Sequence, residues 1–140
     1  MRKIILLSCV KSKLGKKTKA EFLYTSDLFK SSLKFAKLQN PDYIFILSAK
    51  YGLLNLSDEI EPYEKTLNKM KKNERIDWSK NVIEKLKDLT NFEKDEFIFI
   101  AGIKYREFLI PKLMNFKIPM KGLGFGKQLQ WLKKNTEYEK

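Results

Sequence analysis

Three short apolar runs of this sequence end alike, in small residues followed by lysine. They read Ser8-Cys9-Val10-Lys11-Ser12-Lys13, Ser48-Ala49-Lys50-Tyr51-Gly52 and Ala101-Gly102-Ile103-Lys104-Tyr105-Arg106. Small residues such as Ser8, Ser12, Ser48, Gly52 and Gly102 let a ligand approach the backbone closely. The lysines Lys11, Lys13 and Lys104 supply point charges for phosphate, and Tyr51 and Tyr105 supply flat faces for a base. If the runs are parallel strands, all three endings share one edge, where open α/β sheets bind their ligands. In so lysine-rich a chain a chance recurrence is the competing explanation.

The second ending leads into a dense acidic group, Asp58, Glu59 and Glu61, beside Pro62 and Tyr63. A carboxylate held near a lysine-lined edge could activate water or stabilise a sugar cation. Glu61 is the preferred acid, because Pro62 stiffens the backbone beside it and a fixed group suits a preorganised site. Asp58 and Lys50 complete the candidate catalytic set. A solvated turn whose acids cap a helix or pair with lysines accounts for the same residues. Further along, Gly122, Gly124 and Gly126 alternate before a helical pattern containing Gln128. Backbone amides at such a helix start can cradle a phosphate, which makes Gly124, Gly126 and Gln128 candidate substrate contacts. The spacing matches neither the dinucleotide nor the Walker pattern, and a turn needing positive φ explains it equally well.

The absence of histidine excludes imidazole triads, histidine metal sites and histidine proton shuttles. The single cysteine, Cys9, excludes an internal disulfide and a cysteine-based zinc centre, and its type favours an inert core position over a nucleophile. Chemistry is therefore expected to need no metal and no cofactor.

The elements that must position these residues follow from periodicity. Lys3–Val10, Asp42–Ala49 and Glu96–Gly102 are near-continuous apolar runs, as expected of strands covered on both faces. Thr25 or Ser26 can cap a helix that stops before Pro41, and a second helix spans roughly Asn73 to Leu89. Tyr105 to Met114 reads as helical with Pro111 kinking or restarting it, Phe116–Met120 as a short edge strand, and the segment through Gln128 and Leu132 as a final helix. Trp78 and Trp131 fall on helical patterns as packing residues. The alternation implies an α/β fold, a three-layer α/β/α arrangement with a mainly parallel central sheet of about four strands. No repeat or linker interrupts residues 1–140, so one domain is expected.

The formal net charge of +12 points to an anionic partner. Residues 1–20 and 108–136 carry lysines and no Asp or Glu, while the acids lie mostly between them. Such segregation is what a polyanion-binding face would show. No apolar run approaches the roughly 18 residues that span a bilayer, and Ile4–Val10 lacks a signal-peptide cleavage site. A cytoplasmic protein without membrane contact is expected, its oligomeric state open.

The runs Leu7–Lys13, Leu23–Phe29 and Ile46–Leu54, with Glu61-Pro62-Tyr63, Ala101–Tyr105 and Gly124–Leu132, resemble a family of short bacterial and phage proteins. These are similar to the YaaA-like peroxide-stress DNA-binding proteins and, more remotely, to the uracil-DNA-glycosylase superfamily. The resemblance implies an α/β/α fold and action on nucleic acid, with cleavage of an N-glycosidic bond to a base as the expected reaction. That superfamily often has Asp or Asn after its first strand, where this chain has Lys11, Ser12 and Lys13, so the acid falls to Glu61 or Asp58. The leading expectation is a DNA N-glycosylase. The alternatives are a non-catalytic DNA-binding or stress-protection protein, and an enzyme acting on free nucleotides or nucleosides.

Overall fold

The computed structural model describes residues 2–8 and 15–136. Along the chain these form β1 (Lys3–Ser8), β2 (Thr18–Lys19), α1 (Ala20–Leu23), α2 (Asp27–Leu38), β3 (Tyr43–Ser48), β4 (Gly52–Asn55) and β5 (Glu59–Ile60). They continue as α3 (Lys72–Leu89), β6 (Glu96–Ile100), α4 (Ile103–Arg106), β7 (Asn115–Lys117) and α5 (Phe125–Thr136). Five strands make the main sheet in the order β4-β3-β1-β6-β7. The β3, β1, β6 and β7 strands are mutually parallel, and β4 returns antiparallel along β3. The class is α/β, as the alternation implies.

Burial explains why β1 sits at the centre. Ile4, Ile5, Leu6 and Leu7 are all fully buried, which requires cover on both faces. Crossovers leave β1 toward β3 through α2 and reach β6 through α3, so right-handed connections place those helices on opposite faces. The last helix, α5, packs beside α2, with Phe35 edge-on to Trp131 at 4.9 Å. Ser26 starts α2 as expected, its hydroxyl accepting the Phe29 N–H at 3.1 Å.

Two expectations are corrected. The segment 105–114 is not one helix: α4 ends at Arg106 and a separate 3-10 turn covers Ile110–Lys112. Pro111 at the start of that turn has no N–H and would clash with the carbonyl four residues back in a continuous helix. After Lys50, Gly52 adopts φ of +75° and turns the chain into β4. Glycine takes that conformation at no steric cost, so its role here is to close a hairpin. The edge strand expected at 116–120 is shorter, residues Asn115–Lys117. Among the described residues no helix is long and apolar enough to cross a membrane.

Candidate functional site

The connections leaving β1 and β6 diverge, one toward β3 and the other toward β7, which opens a crevice at their carboxyl ends. A cleft of about 550 Å³ occupies this position. Its floor is Ser8 from β1 and Ile100, Ala101 and Gly102 from the end of β6. Leu28, Phe29 and Ser32 of α2 form one wall. The segment Gly122–Gly124 and Gln128 of α5 form another, and Asn68, Tyr105 and Arg106 close the remaining side. No Asp or Glu is among these described lining residues.

Local rules account for the walls. Gly122 takes φ of +82° and reverses the chain after Met120. The Gly124 carbonyl then accepts the first helical bond of α5, from the Gln128 N–H at 2.9 Å, which puts Gly124 at the cap position. The Gln128 amide reaches back to donate to the Leu123 carbonyl at 2.7 Å and fixes the turn. The amides of the first turn of a helix have no intrahelical acceptor, and the macrodipole there favours negative charge. Tyr105 is buried and stands perpendicular to Trp78 at 5.8 Å. Its hydroxyl accepts the Leu67 N–H at 3.4 Å and lies 3.5 Å from the Thr66 hydroxyl, tying the 66–68 segment over the cleft. Lys104 donates to the Asn68 carbonyl at 3.3 Å, beside the lining.

Arg106 follows the third strand ending and was not among the expected site residues. It is only 9% exposed, it lines the cleft, and its one described side-chain hydrogen bond is a 3.4 Å contact from Nη1 to the Ala101 carbonyl. Among the described residues none of the ion pairs involves it. Burial pushes its pKa down from the usual arginine value, though guanidinium stays charged at any physiological pH. A signal was available in residue choice. Of 29 basic residues only three are arginine, and Arg2 and Arg75 are committed to Asp95 and Glu107.

The expected site residues divide. Ser8, Gly102, Tyr105, Gly124 and Gln128 come together in the cleft, with Lys104 adjoining it, while Gly126 lies in the first turn of α5 outside the lining. Lys11, Ser12 and Lys13 fall outside the described residues, as does Cys9. Ser48 is fully buried in a chain of hydroxyls instead of facing a ligand. Its Oγ donates to the Tyr63 hydroxyl at 2.8 Å, which lies 2.7 Å from the Tyr24 hydroxyl, and accepts the Tyr51 N–H at 3.1 Å. Its carbonyl takes the Trp78 indole N–H at 2.8 Å. Tyr51 stands edge-on to Tyr63 at 5.7 Å, with the Lys50 ammonium 5.2 Å from its ring centre. Gly52 belongs to the hairpin described above.

The acids also sit apart from the cleft lining. The Asp58 carboxylate accepts the Asn55 N–H at 2.8 Å and closes the turn between β4 and β5, beside Lys85 and Asp88. That is the turn-stabilising reading of Asp58. Glu61 is exposed, but its backbone is held at both ends by one side chain. The Tyr51 hydroxyl accepts the Glu61 N–H and donates to its carbonyl, both at 3.3 Å. Among the described residues no group of three or more acidic or cysteine side chains is placed to hold a metal ion.

A curated relative, a UPF0246 protein of Crocosphaera subtropica, is 30% identical over 119 residues, covering 74% of this chain and 47% of its own. The chain thus spans about half the length of the curated relative it matches. This supports the likeness to YaaA-like proteins in part. The remoter likeness to uracil-DNA glycosylases rests on the sequence motifs alone. Over residues 4–134 the sequence matches a single family throughout, and the chain belongs to that family, described as "Family of unknown function (DUF6884)".

Proposed function

We propose that the chain is a nucleic-acid-directed domain that receives one nucleotide in the cleft between the ends of β1 and β6. The observation that carries this reading is the cleft itself: it lies where diverging crossovers open the sheet, and no acid is among its described lining residues, in a chain of net charge +12. Its volume of about 550 Å³ is within the usual range for small-ligand sites, so it suits a single unstacked nucleotide and not a duplex. Lysines of the acid-free segments would hold the flanking phosphates. The test is binding of fluorescent single- and double-stranded oligonucleotides across a salt series. The logarithm of affinity should fall linearly with that of salt concentration. Absence of binding at low salt would overturn the reading.

A catalytic version is a separate reading, in which the substrate extends beyond the cleft to Glu61, outside its lining; what supports it is the clamp of Tyr51 on the Glu61 backbone. In it a base leaves the sugar, taking a proton, and water adds to C1′, with Glu61 stabilising the cationic sugar or orienting the water. Alkali-sensitive breaks in DNA carrying modified bases are then expected, and Glu61→Gln should abolish them while binding persists. Bound DNA that stays chemically intact leaves a binding or protective protein.

A further inference from the structure

We infer that the cleft contains a phosphate subsite, made by the Arg106 guanidinium and the first-turn amides of α5, and that its ligand is anchored through a nucleotide phosphate. Two independent features border the same cleft, Gly124 at the start of α5 and Arg106. The first is the start of a 12-residue helix, opened by Gly124 at the cap, where a Cβ would meet nothing within 4 Å. Bare backbone lets an anion approach the amides directly, and the helix dipole favours its charge.

The second is a largely buried cation that no carboxylate among the described residues meets. A guanidinium has five N–H donors, and Arg106 uses one in a long bond to Ala101. Its unfilled N–H groups are open to the cleft, since among the described residues only Ser79 Oγ is fully buried without a partner, and an anion can reach them there. The planar fork of arginine matches phosphate oxygens in pairs, which lysine cannot do. This chain uses lysine almost everywhere a solvated charge suffices, and its two other arginines grip carboxylates. Arg106 is thus the one arginine without an ion pair among the described residues. Beyond the charge, Phe29, Phe99, Ile118 and Met120 give the cleft an apolar wall suited to a base. That the phosphate belongs to a nucleotide rests on the reading above; the anion subsite does not.

The test titrates the intact protein with a 5′-mononucleotide, the matching nucleoside and inorganic phosphate by calorimetry, and with a labelled oligonucleotide by anisotropy. The mononucleotide should bind at least tenfold more tightly than the nucleoside. Arg106→Met should weaken the mononucleotide about ten- to a hundredfold, the range for hydrogen bonds to a charged group, and Arg106→Lys by less. Gly124→Asp covers the case in which Arg106 variants do not fold. Aspartate is a good helix cap, so melting temperature should hold or rise while the new carboxylate weakens the mononucleotide. Equal binding of nucleotide and nucleoside overturns the subsite, as does a folded Gly124→Asp that binds nucleotide like the parent. Oligonucleotide binding that ignores both substitutions overturns the subsite and leaves the polymer reading standing. Arg106-dependent mononucleotide binding with no oligonucleotide binding at low salt does the reverse.

Discussion

Replacing Ser48 with alanine separates a ligand contact from a structural one at a position where the sequence favours the former. Ser48 Oγ is fully buried and makes two bonds, donating to Tyr63 at 2.8 Å and accepting from the Tyr51 N–H at 3.1 Å. Each is worth about 1 kcal/mol net, so Ser48→Ala should cost about 2 kcal/mol. With roughly 2.1 cal/mol/K of unfolding entropy per residue, 140 residues correspond to about 3.4 °C per kcal/mol, a fall in Tm of about 7 °C. Differential scanning calorimetry measures the fall, and oligonucleotide anisotropy well below the transition should match the parent protein. An unchanged Tm with weakened binding would refute the reasoning and return Ser48 to the site.

Asp95 should govern the acid limb of stability. Burial pushes its carboxyl pKa up, but hydrogen bonds from the Asn91 N–H and from the Arg2 side chain and backbone outweigh this and hold it below the usual carboxylate value. A depressed folded pKa gives stability that is complete above the unfolded value of 3.8 and lost as pH falls through the lower, folded one. Asp95→Asn should therefore be less stable than the parent at neutral pH in urea melts, with the gap closing as the medium is acidified below the carboxylate range. Gly52→Ala should cost about 1 kcal/mol through φ alone, since its Cβ would meet only Val82 at a comfortable 3.8 Å. The urea midpoint should fall with the slope unchanged, and no shift at all would mean that the hairpin turn relaxes.

The sheet was legible where chemistry is monotonous. Ile4–Leu7, Phe45–Leu47 and Phe97–Ile100 are continuous apolar runs, and only strands buried on both faces explain three of them. The hairpin strand β4 was not, because four residues after a lysine-tyrosine turn carry no periodicity and its pairing depends on the φ of Gly52. Strand ends also located the cleft's edge, since Ser8 and Gly102 line it. Which residues near that edge face a ligand is a matter of packing: Ser48 turns into the hydroxyl chain with Tyr63, and Asp58 closes a turn. Arg106 was hidden among charges that look alike in sequence and differ only in whether a carboxylate meets them.

The docking of α5 on α2 has a thermodynamic consequence. The cleft joins Ser8 to Gln128, and its last wall is held by a helix at the far end of the described chain, packed partly through Phe35 and Trp131. The α5 helix fully buries few of its own residues, Leu132 and Thr136, and elements with little buried contact open first in sub-global fluctuations. Each such opening would dismantle the wall, so a ligand gripping both α5 and the sheet must oppose it by mass action. Occupancy and the closure of this helix are then one linked equilibrium, and amide exchange in α5 would report the ligand without any label on it.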